Sequence, residues 1–403
     1  MCDDRIVPVQ PMGRPVPNLH RNNKPEMNEL LKTGYCRLRQ LRINRRERNY
    51  VYKIMRTNGI PDKPCAEEAA WLRKWRPLYA SVSPVYLRCF RAYLPENRER
   101  IVPSEISANL IEPLLNPARY RFYYEDKNVY DRLFGPEAMP RTYLRRMEGQ
   151  FYDAAYRPCD FPPPERLREL TQNAERIIVK PTVDTDSGRD IVLYRLDPAD
   201  GRYKDQKGEP LTAEKTGGNA GGGNAIIQEF LSQHPFTAQF NPSSVNCFRM
   251  IVYRSPLDGR IEVLHTVLKV GGLDSYVDNV HAGGRMIGVG PDGRLNPCAY
   301  DQLGHRSVEV NGLDLGQPLT VPCFDELLRF ARHTAELVPH CHLTALDIML
   351  DATCRPRLIE CNIKGFSYWI PQFCSGPAFG TATDEIIDYC RERLRKLRYT
   401  IEI

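Results

Sequence analysis

Leu343-Thr344-Ala345-Leu346-Asp347-Ile348-Met349-Leu350-Asp351, followed after a short break by Arg357-Leu358-Ile359-Glu360-Cys361-Asn362, decides how the rest of the chain is read. Two apolar runs flank the polar turn Ala352–Pro356, which is the pattern of a β-hairpin. In an extended strand every second side chain shares a face, so Glu360 and Asn362 point the same way. Asp347, in the partner strand, stands across from them. Three hard oxygen donors on one hairpin face suit Mg2+, which takes few protein oxygens and fills its octahedron with phosphates and waters. The plainer alternative is an ordinary hairpin with acids on its solvent side. Against it, the acids interrupt apolar runs, where a buried carboxylate needs a partner or a metal.

Outward from this hairpin, the chain from about Asn173 is β-rich. Arg176–Lys180, Asp190–Leu196, Ala225–Phe230, Asn246–Tyr253, Ile261–Val270, Thr344–Leu350 and Arg357–Cys361 read as strands. Cys323–Leu337 and Asp384–Tyr399 read as amphipathic helices. Lys215–Asn224, rich in Gly and Asn, reads as a loop. Strands interleaved with helices predict an α+β or α/β fold. Residues 1–25 read as a Pro- and Asn-rich arm. From Pro25 to Leu94 the pattern is helical in short pieces, Glu26–Asn44, Arg45–Asn58 and Cys65–Trp75, punctuated by Pro61, Pro64, Pro77, Pro84 and Pro95. The expected division is a basic helical extension over 1–95 and a catalytic domain over 96–403.

The composition bounds the class. At 403 residues, 42% hydrophobic and 26% charged, the chain suits one or two globular domains rather than a fibre, a coiled coil or a disordered tail. No window approaches the roughly 20 apolar residues of a membrane helix, and Met1–Val16 has no apolar signal region. Thirteen Cys without a CxxC predict reduced, mostly buried thiols and a cytoplasmic location. The net charge of +6 is unevenly placed: residues 1–120 hold 22 Lys+Arg against 12 Asp+Glu. The densest run is Arg37, Arg39, Arg42, Arg45, Arg46 and Arg48. A solvated helix face is the plain reading of that run, and a peripheral contact with an anionic membrane surface is the functional one. No RRM, KH or zinc-finger pattern is present, so no nucleic-acid partner is expected.

Several motif tests fail. The chain contains no Gly-Lys pair, hence no P-loop, and no HExxH. His340-Cys341-His342 is read as structural, because neighbours on a strand face opposite ways. Asp184-Thr-Asp-Ser-Gly188 is not an EF-hand loop, since Arg189 and Arg195 occupy its sixth and twelfth positions. Gly288-Val-Gly-Pro-Asp-Gly293 is formally GxGxxG, but Pro-Asp-Gly is a turn and no helix follows. Two weaker features remain. Lys180 ends the strand Arg176-Ile-Ile-Val-Lys180-Pro181 ahead of Ser187-Gly188-Arg189, an arrangement suited to phosphate. Ile226-Ile-Gln228-Glu229-Phe-Leu231 offers a strand edge to a nucleobase, or is simply a half-buried strand.

Taken together, these features resemble the ATP-grasp superfamily, in particular its sugar-transfer-associated branch from exopolysaccharide gene clusters. The carrying residues are Ile178-Val-Lys-Pro181, Ile227-Gln-Glu-Phe-Leu-Ser-Gln-His-Pro235, Asn241-Pro-Ser-Ser-Val-Asn-Cys-Phe-Arg249, Val277-Asp-Asn-Val-His-Ala-Gly-Gly284, Leu346-Asp347-Ile348 and Ile359-Glu-Cys-Asn362. Asp126-Lys127-Asn-Val-Tyr-Asp-Arg-Leu133 is similar to the segment opening the nucleotide-binding region. The resemblance extends over roughly 100–380.

The resemblance implies an ATP-grasp fold of two α+β subdomains gripping ATP, with Mg2+. By that analogy Lys180 contacts the phosphates, Ser187 and Gly188 belong to the phosphate loop, and Gln228, Glu229 and Leu231 form the adenine hinge. Arg249 stabilises the transferring phosphoryl group with Lys269 as helper, and Asp347, Glu360 and Asn362 bind the metal. Asp278, Asn279 and His281 face the substrate, His281 also as a proton acceptor. The implied activity is an ADP-forming carboxylate–amine (or carboxylate–thiol) ligase working through an acyl phosphate. Its substrates would be small or sugar-linked carboxylates and amines of surface polysaccharide biosynthesis. Two alternatives are a kinase on the same scaffold and a non-catalytic nucleotide-binding regulator of a glycosyltransferase. The chain departs from the family pattern in a phosphate loop poor in Gly and in Ile363-Lys364-Gly365-Phe366 after Asn362, which lacks the proline of related ligases.

Overall fold

The computed structural model describes residues 29–183, 190–217, 223–273, 275 and 277–396, with only the backbone of 29–33, 36 and 37. Two antiparallel sheets organise the chain from Thr142 onward. The first contains β1 (Thr142–Met147), β2 (Gln150–Asp153), β3 (Pro158–Cys159), β4 (Arg176–Pro181), β5 (Val192–Asp197), β6 (Arg202–Lys204) and β7 (Ala225–Glu229), in the order β3-β2-β1-β7-β4-β5-β6. The second contains β8 (Cys247–Arg254), β9 (Ile261–Val270), β10 (Arg285–Val289), β11 (Leu295–Tyr300) and β12 (Arg306–Ser307). After a small ribbon, β13 (Glu309–Val310) and β14 (Leu313–Asp314), it is completed by β15 (Leu343–Leu350) and β16 (Pro356–Asn362). Its order is β12-β11-β10-β9-β8-β15-β16. The architecture is α+β, as expected, and the strands expected between Arg176 and Cys361 all form.

Strands that the sequence pattern hides have identifiable reasons. β1 reads Thr-Tyr-Leu-Arg-Arg-Met, a polar run. Its Arg145 is nevertheless buried and paired with Asp131, while its guanidinium lies 4.1 Å from the Tyr156 ring centroid. β11 carries Pro297, a residue that ordinarily argues against a strand. The formal GxGxxG is the β10–β11 hairpin, as expected. Gly288 is needed there for packing, because a Cβ would stand 2.0 Å from the Cys374 carbonyl oxygen.

Sheet two is covered on both faces, which explains why β15 is apolar along nearly its whole length. One face receives α5 (Phe324–Glu336; α1 to α4 and α6, α7 are given below), through Leu327 and Ala331 against Leu346, Ile348 and Leu350. The other face, with Leu343, Ala345, Ile251 and Tyr253, is covered by helices from both ends of the chain. From the N-terminal side come α1 (Glu29–Thr57), α2 (Glu68–Trp75) and α3 (Val85–Phe90), and a π-helical turn at Ser107–Ile111. From the C-terminal side come α6 (Trp369–Cys374) and α7 (Thr383–Lys396). α4 (Pro164–Thr171) packs Leu167 under sheet one. Val51, Ile54, Trp71, Trp75 and Phe90 therefore belong to the same core as Ile370, Phe373 and Ile386.

Two expectations need correction. α1 is one continuous helix, not two, because Asn44 at the expected break is buried. Its amide lies between the Tyr79 hydroxyl (3.2 Å) and the Asn109 amide (2.9 Å), so tertiary contacts satisfy a residue that otherwise favours helix ends. The thiols are not all reduced: Cys323, preceding α5, and Cys354, in the β15–β16 turn, form a disulfide with Cα atoms 6.4 Å apart. The other described cysteines are free, and most are buried. His340 and Cys341 lie ahead of β15 rather than in a strand. Their neighbourhood is nonetheless structural, with His340 stacked on Tyr120 at 4.0 Å and His342 Nδ1 3.1 Å from the Arg254 carbonyl. No described helix is long and apolar enough to cross a membrane.

Because the N-terminal helices share a core with sheet two, their loss should be felt globally. Trp71 is fully buried and donates Nε1–H to the Ile101 carbonyl at 2.8 Å. Trp71→Ala is expected to lower stability by about 3–5 kcal/mol. Urea unfolding should show it as a lower midpoint in one transition common to far-UV and near-UV signals.

Candidate active site

The hairpin register puts Asp347 directly opposite Glu360 in β16 and directly opposite Arg249 in β8. Cross-strand neighbours on one face are the contacts through which a sheet pairs side chains. Here the result is a row of charge, Glu360–Asp347–Arg249, across three strands. Arg249 grips Asp347 with both arms, Nε to Oδ1 at 2.8 Å and Nη2 to Oδ2 at 2.7 Å. Lys269 in β9 adds a contact to Asp347 Oδ2 at 3.2 Å and reaches Asp278 at 3.3 Å. Asp278 also accepts the Cys247 backbone N–H at 3.1 Å. Glu360 is held by Lys127 Nζ at 2.7 Å.

These charges are buried, and their ionisation follows from their neighbours. Burial alone would raise the Asp347 carboxyl, but Arg249 and Lys269 outweigh it and hold the group well below the usual carboxylate range. Burial likewise opposes ionisation of Glu360, and Lys127 reverses that. Asp278 goes the other way: burial pushes it up, against the pull of Lys269 and with the repulsion of Asp347. Lys180, at the end of β4, has no carboxylate within ion-pair distance among the described residues. Burial, assisted by the charge of Lys127, lowers its ammonium to about 8.

All of these groups line one cavity of about 720 Å³. Expected site residues found on its wall are Lys180, Glu229, Leu231, Arg249, Lys269, Asp278, Asn279, His281, Asp347, Glu360 and Asn362. Gln228 does not line it; its side chain is buried in sheet one and donates to Pro140 O (3.2 Å) and Thr142 Oγ1 (3.1 Å). It thus braces the cavity wall at Pro140 from behind. Glu229 accepts the Arg141 backbone N–H at 2.8 Å and an Arg357 contact at 3.2 Å. His281 is exposed, its Nδ1 2.5 Å from Gln302 Oε1. Ser187 and Gly188 lie outside the described residues.

Asp347, Glu360 and Asn362 form the expected metal set. Asn362 turns Nδ2 to the Ala345 carbonyl (3.3 Å), leaving Oδ1 on its other side. Two carboxylates and an amide oxygen are chemistry suited to a hard cation. Among the described residues no three His, Cys, Asp or Glu side chains form a cage by themselves. The set therefore fits a metal held jointly with phosphate oxygens and water, as Mg2+ usually is.

Sequence reasoning missed several cavity residues, among them Lys127, Arg46, Glu47 and Tyr50. Lys127 lies in a quoted segment, but nothing local says that it reaches a carboxylate 233 residues away. Arg46, Glu47 and Tyr50 of α1 also line the cavity, far outside the segment that carried the resemblance. Tyr50 is fixed by its hydroxyl donating to the Gln302 carbonyl and by an edge contact with Trp369 at 5.9 Å.

With this geometry in hand, comparison with known proteins gives one family. The pattern described as sugar-transfer associated ATP-grasp matches residues 106–386. No curated protein matches the chain. Among solved structures it is similar to the ATP-grasp ligase PsnB complexed with minimal precursor, Mg and ADP, at 14% identity over 69% of this chain and 62% of that one, TM-score 0.37. It is also similar to D-cycloserine synthetase DcsG, at 13% identity over 70% and 73%, TM-score 0.39. A third is N5-carboxyaminoimidazole ribonucleotide synthetase from Thermotoga maritima, at 10% over 68% and 51%, TM-score 0.36. The chain spans less than two thirds of the length of the PsnB structure.

Removing one member of the buried cluster should be costly. Asp347→Ala leaves Arg249 buried and without its carboxylate and leaves Lys269 with Asp278 alone, with an expected loss of about 3–5 kcal/mol in urea unfolding. The double change Asp347→Leu with Arg249→Met should recover most of that loss, because it removes the isolated charge.

Proposed function

Because the chain belongs to the sugar-transfer associated ATP-grasp family, we propose that it is an ATP-dependent, ADP-forming carboxylate–amine or carboxylate–thiol ligase. It activates its acid as an acyl phosphate and serves surface polysaccharide or sugar-conjugate biosynthesis. One observation carries this reading: a single cavity holds the Asp347–Arg249–Lys269 cluster, the Glu360–Lys127 pair and Lys180, a cation with no carboxylate partner among the described residues.

The nucleotide base lies against Pro140, Ile178 and the Glu229–Leu231 edge, and its triphosphate runs toward Lys180 and Lys127. Phosphoryl transfer asks little covalent chemistry of a protein; it asks for positioning and for positive charge where negative charge develops. Arg249, oriented by its two contacts with Asp347, supplies that charge at a fixed place. Lys269 holds Asp347 from the other side. Asp347, Glu360 and Oδ1 of Asn362 would hold Mg2+, which would supply positive charge to neutralise the phosphates. Asp278, Asn279 and His281 face the substrate; the acid accepts the γ-phosphoryl group, and the acceptor then attacks the acyl phosphate.

The outward side of α1 supports a further partner. Tyr35, Leu38 and Leu41 are exposed there beside Arg42 and Arg45, a combination suited to an anionic membrane surface. Low-salt co-sedimentation with phosphatidylserine vesicles is expected, and it should fall sharply in Arg42→Glu with Arg45→Glu. Equal binding by that variant would end the membrane proposal.

The ligase reading is tested by incubating the protein with ATP, Mg2+, a panel of sugar acids and amino acids, and hydroxylamine. A hydroxamate with stoichiometric ADP supports it. A phosphorylated product without hydroxamate turns the assignment to a kinase, and no magnesium-dependent turnover leaves only nucleotide binding. The place of Lys180 is tested by pH. Its ammonium is lowered to about 8, so the charged form that meets phosphate is lost as pH rises through that value. ATP affinity by calorimetry should fall above pH 8, and Lys180→Arg should remove the fall, since arginine stays protonated.

A further inference from the structure

The cavity is lined by six carboxylates, and five have a cation within ion-pair distance. Glu47 has Arg46 (3.0 Å), Glu229 has Arg357 (3.2 Å), Asp278 has Lys269 (3.3 Å), Asp347 has Arg249 (2.7 Å) and Glu360 has Lys127 (2.7 Å). The sixth, Glu112, has none among the described residues, although it is 3% exposed. A carboxylate removed from water without a positive partner is expensive, so the unmatched charge needs an explanation.

Part of that explanation is structural. Glu112 Oε2 accepts the Gly365 N–H at 3.0 Å and Oε1 accepts the Phe366 N–H at 3.4 Å. It thereby pins the turn that follows Asn362, in which Gly365 (φ +71°) and Ser367 (φ +53°) are both left-handed. A non-glycine residue held in that conformation costs energy and tends to mark a functional site. One N–H on each oxygen leaves acceptor capacity on both. Beside Glu112 stands the Tyr368 hydroxyl, 6% exposed and also on the cavity wall, which interacts with the Glu112 carboxylate as a donor and keeps its own oxygen lone pairs for a further donor. Glu112 directly follows the π-helical turn Ser107–Ile111, a local widening that recurs at functional sites. The helical stretch around it lines the same cavity with Ser104, Ala108 and Glu112.

We propose that Glu112 and Tyr368 form the subsite for the acceptor nucleophile, and that this nucleophile is a primary amine, bound as its ammonium. The inference rests on the ligase reading and narrows it: a thiol, whose reactive form is an anion, would be repelled where an ammonium is drawn in. An ammonium donates to the free lone pairs of Glu112 and to the Tyr368 oxygen, supplying the charge that the site lacks. Burial raises the Glu112 carboxyl above its ordinary value, which suits it to take one ammonium proton. The amine nitrogen then bonds to the acyl carbon, the carbon–oxygen bond to phosphate breaks, and phosphate leaves with that electron pair and the second nitrogen proton. The proton on Glu112 returns to water.

The test uses the full chain with Mg2+ and a non-hydrolysable ATP analogue, and follows tryptophan fluorescence, since Trp369 adjoins Tyr368. Ethylammonium chloride is titrated at constant ionic strength against tetramethylammonium chloride, which carries the charge without an N–H. A saturable change with ethylammonium alone is expected, weakened about tenfold in Glu112→Gln and less in Tyr368→Phe, as befits loss of a charge-assisted hydrogen bond. Equal affinity in Glu112→Gln, no saturable change in the unaltered chain, or an equal response to tetramethylammonium would overturn the proposal. If Glu112→Gln melts before it can be titrated, Tyr368→Phe decides, and unchanged affinity there overturns it. Ethylammonium binding with no hydroxamate from the unaltered enzyme would instead mark failure of the ligase reading alone.

Discussion

The bidentate pairing of Arg249 with Asp347 is the constraint on which the site depends. Asp347 sits in a strand whose other members are buried and, apart from Thr344, apolar, where a lone carboxylate would be forced to neutralise. Arg249 keeps it ionised, and Lys269 ties the pair to Asp278. The arrangement brings little stability compared with a hydrophobic replacement. What it provides is a charged row held at fixed spacing by the pairing register of β16, β15 and β8. Preorganised charge of this kind does not have to be rearranged when a phosphoryl group arrives.

The register, in turn, is protected from both sides. Because β15 is covered on each face, a one-residue slip would turn Asp347 into the α5 side of the core and Ile348 into the cavity. The Cys323–Cys354 disulfide fastens the end of the hairpin to the start of α5. On the opposite face the cover comes from α1, α2 and α3 together with α6 and α7. The N-terminal helices thus do two things with one surface. They bury the back of the site, and with Arg46, Glu47 and Tyr50 they form part of its wall.

The hairpin was legible in sequence because its information is local: an alternation of period two and two polar positions that do not belong in an apolar run. The strands from Arg176 onward were legible for the same reason. What escaped detection was polarity satisfied at a distance. Arg145 makes β1 look exposed until Asp131 and Tyr156 are seen around it. Asn44 looks like a helix break until Tyr79 and Asn109 are seen beside it. Lys127 and Glu112 are ordinary charged residues in sequence, and only the fold brings them to Glu360 and to the Gly365 turn. The basic run of α1 divides between two settings that composition cannot separate. Arg42 and Arg45 are exposed, whereas Arg48 pairs with the buried Glu105.

The charge balance of the cavity links its two ends. Among the described residues, Lys180 is left over at one end as a cation without a carboxylate, and Glu112 is left over toward the Gly365 turn as a carboxylate without a cation. A cavity lined by one surplus cation and one surplus anion favours a pair of ligands of opposite sign, a polyphosphate at one end and an ammonium at the other. Each ligand relieves a desolvation cost that folding alone leaves in place. Ligand binding and local stability are therefore coupled, because the turn pinned by Glu112 follows directly on the strand that carries Glu360 and Asn362. An acceptor that neutralises Glu112 steadies the same backbone that positions the phosphate-facing oxygens. A substrate at one end thus helps to order the chemistry at the other through one continuous stretch of backbone.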